Sequence, residues 1–147
     1  MILTPTARTF LADARRATLA TIDQGGLPRL VPICFVLAAG DDATAPVLYT
    51  PLDEKPKAVA DPRGLARVRD ILARPDVTVL VDRWSEHWTE LAWLRVMGRA
   101  TVLEPDEVAP AVVDQLRAKY PQYEAHDLAS RPLIRIEIER ATSWGAL

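Results

Sequence analysis

The chain has 147 residues, of which 49% are hydrophobic and 26% are charged, and its formal net charge is −2. This length suits one domain over residues 1–147, and the near-neutral charge provides no global field that would attract nucleic acid or an anionic membrane. Cys34 is the single cysteine, so no internal disulfide forms, which suits the reducing cytoplasm. Arg8 and Asp13 interrupt the N-terminal apolar residues, and no apolar run reaches the roughly 20 residues of a membrane span. We therefore expect a cytoplasmic protein with neither a signal peptide nor a membrane helix.

The first part of the chain predicts a helix followed by a hairpin. Thr4 is suited to cap a helix whose first residue is Pro5. Residues 17–22 alternate as a strand does, and residues 29–37 form a second strand after a glycine-containing turn. Because Pro32 lacks a backbone N–H, we expect this second strand at a sheet edge or with a bulge.

The middle of the chain alternates strands with a basic helical segment. Residues 47–50 predict a third strand, and the apolar spacing over residues 63–73 predicts a helix. The nearly continuous apolar run at 77–81 is typical of a strand buried on both faces. A tryptophan-rich turn at 83–89 then leads to a long strand over 91–103.

The last part of the chain predicts one more helix and one more strand. The helix begins at Pro105, with Asp106 and Glu107 in its first turn, where the helix dipole favours acidic groups. Residues 132–141 alternate and predict a half-exposed final strand. About six antiparallel strands and two or three helices indicate a mainly β fold with α, arranged as a small closed or half-closed barrel.

Cationic side chains cluster between the third and fourth predicted strands. Guanidinium and ammonium groups at a junction of strand, loop and helix suit a phosphate or a carboxylate ligand. Acidic residues are interleaved with them, so a solvated, salt-paired surface is the alternative interpretation. The cationic residues are Lys55, Lys57, Arg63, Arg67 and Arg69.

The remaining reactive side chains predict no nucleophile and no metal site. His87 and His126 have no further ligand-type residue at metal-binding spacing, so we expect no zinc. Cys34 lies in a predicted strand with no partner histidine and is interpreted as a small buried hydrophobic residue. A chain that offers anion-binding groups but no reactive side chain suits chemistry carried by a cofactor.

Tryptophans are concentrated around the turn at 83–89. Trp84 and Trp88 are candidates for contacting a planar ring or a substrate. The alternative for all the tryptophans is the barrel core and a subunit interface, and we favour this alternative for Trp93.

Seven short segments match, in order and spacing, a pattern that covers almost the whole chain. They are ATLATI at 17–22, GLPRLVPI at 26–33, YTPLDEKPK at 49–57, RVRDI at 67–71, RPDV at 74–77, VLVD at 79–82 and GRA at 98–100. Together they resemble the split-barrel proteins related to pyridoxamine 5′-phosphate oxidase, and within them the deazaflavin-dependent oxidoreductases of actinobacteria.

This resemblance implies a homodimer of FMN-binding-like split β-barrels with two cofactor sites at the dimer interface. The cofactor ring would lie against residues 31–34 and 47–50, and cationic and hydroxyl groups would hold the phosphate. Arg67 stands where the family usually has lysine, and Asp70 stands where it usually has asparagine. The implied cofactor-binding residues are Val31, Pro32, Ile33, Cys34, Tyr49, Thr50, Lys55, Lys57, Arg67 and Arg69, and the candidate substrate contacts are Trp84 and Trp88.

The activity implied by the resemblance is hydride transfer between reduced coenzyme F420 and an electrophilic small molecule such as a conjugated carbonyl. The protein would supply position and electrostatics, and the coenzyme would carry the hydride. An FMN-dependent oxidase or reductase on the same barrel is one alternative, and a barrel that binds a cofactor without turnover is another. The extended run of cations favours the deazaflavin, whose tail carries additional negative charge.

Overall fold

Seven antiparallel strands build one sheet in the computed structural model, which describes residues 1–39, 45–52 and 61–147. The strands are β1 (Ala17–Ile22), β2 (Pro28–Ile33), β3 (Val36–Ala39), β4 (Pro46–Pro51), β5 (Asp76–Arg83), β6 (Ala92–Leu103) and β7 (Leu133–Gly145). Their order across the sheet is β2-β1-β5-β6-β7-β4-β3. The predicted mainly β fold with α, of the split-barrel type, is therefore confirmed.

Three α-helices accompany the sheet within the described ranges: α1 (Pro5–Asp13), α2 (Ala66–Ala73) and α3 (Pro110–Lys119). The predicted cap of α1 is present, because the Oγ1 of Thr4 accepts a hydrogen bond from the N–H of Ala7 at 3.1 Å. Short 3₁₀ turns lie at Pro62–Gly64, Trp88–Glu90, Pro105–Glu107 and Pro121–Ala125. No helix among the described residues is long and apolar enough to cross a bilayer.

The predicted strand over 29–37 is two strands, and this accounts for seven strands instead of about six. β2 pairs with β1, whereas β3 pairs with β4, so the two strands occupy opposite ends of the sheet order. The edge position expected from Pro32 is confirmed, since β2 is an end strand among those described.

Two of the three predicted helices begin later in the chain than predicted. The helix expected from Pro105 begins at Pro110, because the residue before a proline avoids helical dihedrals, and Ala109 has φ −63° and ψ 134°. The helix expected over 63–73 begins at Ala66, after a 3₁₀ turn and the extended residue Leu65.

The final strand runs four residues beyond its predicted end because β6 pairs with it as far as Gly145. A register shift between Met97 and Gly98 accommodates this long pairing. At Gly98 a Cβ atom would lie only 2.0 Å from the carbonyl oxygen of Glu137, so a side chain there would force the strands apart.

Two groups of buried apolar side chains stabilise the fold. The larger lines the inside of the barrel, where Leu19, Phe35, Leu94 and Ile134 are fully buried. The smaller lies beneath α3 and contains Val112, Val113, Leu116, Tyr120, Tyr123 and Leu133.

Candidate functional site

A groove of about 440 Å³ runs between the edge strand β2 and the start of α2. Three guanidinium groups line it, those of Arg29, Arg67 and Arg69, and no carboxylate of a described residue does. The other lining residues are Leu30, Val31, Gly64, Leu65 and Ala66. Arginine presents forked N–H donors that match phosphate and carboxylate oxygens, so the groove is suited to an anionic ligand.

Local sequence explains why the arginines face this groove. Val68 and Ile71 are buried and fix α2 against the sheet, which leaves Arg67 and Arg69 at its sides. On β2, Arg29 and Val31 are two residues apart and therefore project from the same face of the strand. Val31, Arg67 and Arg69, predicted separately as ring and phosphate contacts, are thus brought to one groove.

A second, more polar cavity of about 250 Å³ adjoins the first at the turn between β1 and β2. Arg29 and Arg69 line both cavities. The other lining residues are Asp23, Gln24, Gly25 and Asp70. The carboxylate of Asp23 is engaged by the turn itself, since its Oδ1 accepts a hydrogen bond from the N–H of Leu27 at 2.9 Å.

A buried carboxylate holds Arg29 in place. Asp70 is only 5% exposed, and its Oδ2 accepts hydrogen bonds from the Nε of Arg29 at 2.8 Å and the Oγ1 of Thr21 at 2.7 Å. Burial alone would raise the pKa of the Asp70 carboxyl. The hydrogen bonds from Thr21 and Arg29, with the charges of Arg29 and Arg69, outweigh burial and lower that pKa. Asp70 is therefore ionised and fixes one guanidinium of the groove.

Neither Arg29 nor the role of Asp70 is predicted from the sequence. The sequence signal for this pair is Thr21, which occupies an inward-facing position of β1 and is 1% exposed. A buried hydroxyl requires a hydrogen-bond partner. That partner, Asp70, is 49 residues away in sequence, and only the tertiary fold brings the two together.

Three residues predicted as part of the ring wall do not line the groove. Pro32 is exposed on β2, and Ile33 is 6% exposed and belongs to the barrel core. Cys34 is half-buried against the cluster beneath α3, so the prediction of a buried thiol is only partly met.

The two predicted residues of β4 also do not line the groove. Thr50 is 1% exposed, and Tyr49 is half-buried against the cluster beneath α3. Tyr49 lies opposite Arg135 of β7 in the pairing register. Lys55 and Lys57 lie outside the described residues.

The remaining candidates are on the surface. Trp84 and Trp88 are 69% and 74% exposed in the segment between β5 and β6, and neither lines the groove. Arg63 follows the salt-paired alternative, because it forms ion pairs with Glu104 and Asp61. Its Nε donates to the Oε1 of Glu104 at 3.0 Å, which separates it from the cations of the groove.

Several solved structures share this fold at low sequence identity. A conserved hypothetical protein from Mycobacterium tuberculosis matches with a TM-score of 0.69 and 19% identity, over 99% of this chain and 86% of that one. The heme storage protein HutZ from Vibrio cholerae matches with a TM-score of 0.65 and 17% identity, over 99% and 95%. An F420 reductase matches with a TM-score of 0.63 and 19% identity, over 92% and 94%. At these identities the similarity establishes the fold alone.

The chain has no match among curated proteins. A family model described as pyridoxamine 5′-phosphate oxidase matches residues 3–145. That match spans nearly the whole chain, and the family binds flavin-type cofactors and includes oxidoreductases. The chain therefore belongs to the pyridoxamine 5′-phosphate oxidase family.

Proposed function

We propose that this protein is a coenzyme F420-dependent oxidoreductase of the cytoplasm that transfers a hydride between reduced deazaflavin and an electrophilic small molecule. The observation that carries the proposal is the groove in which Arg29, Arg67 and Arg69 accompany Val31. The F420 reductase among the similar structures supports the choice of deazaflavin.

The residues of the groove fit a ligand with one anionic end and one flat apolar end. Arg67 and Arg69 supply donors for phosphate oxygens, and Val31 offers an apolar wall for a ring. Among the described strands β2 pairs with β1 alone, so its outer edge presents backbone groups beside the groove. Lys55 and Lys57, beyond the described residues, are proposed to extend the cationic surface.

The protein's part in the reaction is binding and orientation. Bound reduced deazaflavin supplies the hydride, and a conjugated carbonyl or related double bond is the proposed acceptor. Arg67 and Arg69 fix the phosphate end, and Val31 limits the position of the ring. Trp84 and Trp88, with exposed indole rings, are the proposed contacts for an apolar substrate.

We propose further that the functional unit is a homodimer with cofactor sites at its interface. The pairing register places Leu30 of β2, Leu80 of β5, and Trp93 and Trp144 of the β6–β7 pair on one outward face of the sheet. Leu30 is 66% exposed and Trp144 is 54% exposed. The same register places Asp82 and Arg95 on this face, so it is mixed, and its exposed apolar side chains favour association. The face begins at β2, so a second copy bound there would border the groove.

An FMN-dependent oxidase or reductase is the second candidate. Three guanidinium groups are sufficient for one phosphate. The described groove is therefore explained without the longer anionic tail of F420. The two candidates differ in the coenzyme that supports turnover.

Turnover with each reduced coenzyme tests the proposal. The purified protein is mixed with reduced F420 or reduced FMN under anaerobic conditions, together with a panel of conjugated carbonyl compounds. Reoxidation of F420 that depends on both protein and acceptor supports the deazaflavin assignment. Turnover with FMN alone selects the second candidate, and binding of heme with no turnover would reject both.

A further inference from the structure

A third cavity, of about 640 Å³, lies between α1 and the end of β5. It shares no lining residue with the groove or with the cavity at the β1–β2 turn. Its apolar surface includes Phe10 and Leu147, and a volume of this size accommodates a small organic molecule. Its charged groups are those of Asp13, Asp82 and Arg83. The other lining residues are Pro5, Thr6, Thr9 and Ala14.

Helical spacing explains the wall that α1 contributes. Thr6, Phe10 and Asp13 are three or four residues apart, so they lie on one side of the helix. Ala7 and Leu11 lie on another side and are buried in the barrel core. Phe10 is left half-buried, with the exposed carboxylate of Asp13 one turn further along the helix. This wall therefore presents an apolar ring next to a negative charge.

Arg83 forms part of the opposite wall, and the protein already engages its guanidinium. Its Nε donates to the carbonyl oxygen of Glu90 at 2.9 Å, and its Nη2 donates to the carbonyl oxygen of Ala146. The guanidinium carbon also lies 5.5 Å from the centroid of the Phe10 ring. Neutral carbonyl oxygens, and not the carboxylates of the cavity, therefore satisfy these donors.

The carboxylates of the cavity have no bound cation in the described parts of the chain. There, neither Asp13 nor Asp82 accepts a hydrogen bond or forms an ion pair. Lys119 responds to the charge of Asp13, but its ammonium lies 3.9 Å from the centroid of the Phe35 ring and does not line the cavity. Two carboxylates against the one guanidinium of Arg83 leave the cavity with a net negative charge.

From these observations we infer that this cavity is a second ligand site, which binds a small organic cation with an ammonium group and an apolar or aromatic body. The carboxylates of Asp13 and Asp82 attract the ammonium group, and Phe10 and Leu147 contact the body. A carboxylic acid of the same shape is repelled. Such a ligand is independent of the coenzyme of the proposed function, because the two sites share no residue.

An NMR titration of the intact protein with phenethylamine, which is a cation at pH 7, tests the inference. Phenethyl alcohol has the same aromatic body without the charge and is the matched probe. We expect the amine to shift the signals of Thr9, Phe10 and Leu147, which line the cavity. The signals of Arg29 and Val31 in the groove should not move. The amine should bind about fivefold more tightly than the alcohol, the scale of an ion pair that water still reaches.

Three variants separate the contribution of charge from that of the apolar wall. Asp13→Asn should weaken binding of the amine by about fivefold and leave binding of the alcohol unchanged. Phe10→Leu should weaken binding of both probes, because both use the aromatic ring. Asp114→Asn is the matched control: it removes an exposed helical carboxylate that does not line the cavity, and it should bind both probes as the parent protein does.

Equal affinity of the parent protein for the amine and the alcohol would overturn the inference. So would titrations in which neither probe moves the cavity signals, or an equal loss of amine binding in Asp13→Asn and Asp114→Asn. None of these titrations contains a coenzyme, so their failure leaves the proposed function standing. Conversely, an amine site in a protein that binds neither F420 nor FMN leaves the inference standing while the proposed function falls.

Discussion

The hydroxyl of Tyr120 accepts a hydrogen bond from the backbone N–H of Phe35 at 3.0 Å, across 85 residues of sequence. It also lies 3.0 Å from the carbonyl oxygen of Arg15 and 3.2 Å from that of Phe35. Phe35 is fully buried and lies between β2 and β3, outside both strands, so its backbone N–H needs a partner other than the strand ladder. The end of α3 therefore fixes the point at which the chain leaves one end of the sheet and enters the other.

Replacing Tyr120 with phenylalanine tests this link. The buried N–H of Phe35 loses its acceptor, so Tyr120→Phe should lower the free energy of unfolding by about 1–3 kcal/mol. Urea denaturation followed by circular dichroism measures the loss. Tyr49→Phe is the control and should cost less, since the side chain of Tyr49 is only half-buried. Equal unfolding midpoints for Tyr120→Phe and the parent protein would show that the link carries no stability.

The buried pair of Asp70 with Arg29 predicts a dependence of stability on pH. The pKa of Asp70 is lowered in the folded state, so its stabilisation is present above the ordinary carboxyl pKa of about 3.9 and is lost as pH falls through the lower folded value. At pH 7 Asp70→Asn should reduce the free energy of unfolding by about 2 kcal/mol, the scale of a charge-assisted hydrogen bond. Below the folded pKa the difference should vanish.

Asp76→Asn is the matched control for that experiment. Asp76 also pairs with an arginine, Arg99, at 3.3 Å, but both side chains are exposed. The free energy of unfolding should therefore change by less than about 0.5 kcal/mol. Calorimetry of the three proteins between pH 3 and pH 7 compares them, and an equal effect of the two substitutions would contradict a special role for Asp70.

Lys119 predicts a second rise of stability with pH, in the alkaline range. Burial, with the nearby charge of Arg15, lowers the pKa of Lys119 from 10.5 to about 8, and its Nζ donates no hydrogen bond to a described residue. Between pH of about 8 and about 10.5, Lys119 is protonated in the unfolded chain but not in the folded protein. The free energy of unfolding therefore rises with pH over that range.

Lys119→Met should remove that rise. At pH 7 the variant should be more stable than the parent protein by about 1 kcal/mol, a value discounted because the side chain is partly exposed. The contact of the ammonium with the Phe35 ring at 3.9 Å offsets part of the gain. Thermal melts at pH 7 and pH 11 measure the difference, which should be smaller at the higher pH; a variant less stable at both would refute the account.

The outward face of the sheet predicts the effect of a charge on dimer formation. Leu80 is 38% exposed at the centre of that face and lies directly opposite Arg95, so an arginine at position 80 would bury a second guanidinium beside a like charge at the interface. Leu80→Arg should therefore be monomeric by light scattering at concentrations where the parent protein is dimeric. Leu72→Arg, on α2 and 70% exposed, is the control and should remain dimeric. A monomeric parent protein at micromolar concentration would remove the interface model.

Strands could be predicted from the sequence where apolar and polar residues alternate within one short segment. Residues 17–22 were predicted as a strand and coincide with β1, and Pro32 indicated the sheet edge because its missing N–H excludes a central position. The split of 29–37 was not predictable, since it depends on the hydroxyl of Tyr120, far along the chain. The extension of β7 to Gly145 depends equally on pairing with β6.

The candidate site was predictable only in part for the same reason. Arg67 and Arg69 were found because cations clustered in sequence, and the family pattern added Val31. Arg29 stands alone in its strand, and its association with Asp70 exists only in the folded chain. Arg63 belongs to the same cluster in sequence, but in the folded chain it forms an ion pair with Glu104.

The most direct test of the central claim is a fluorescence titration of the purified protein with coenzyme F420 and, in parallel, with FMN. We predict saturable binding of F420 that Arg69→Ala weakens by more than about tenfold, because a phosphate contact is lost. Arg63→Ala should bind as the parent protein does, since that arginine lies outside the groove. Binding of FMN alone, or of neither coenzyme, would contradict the assignment.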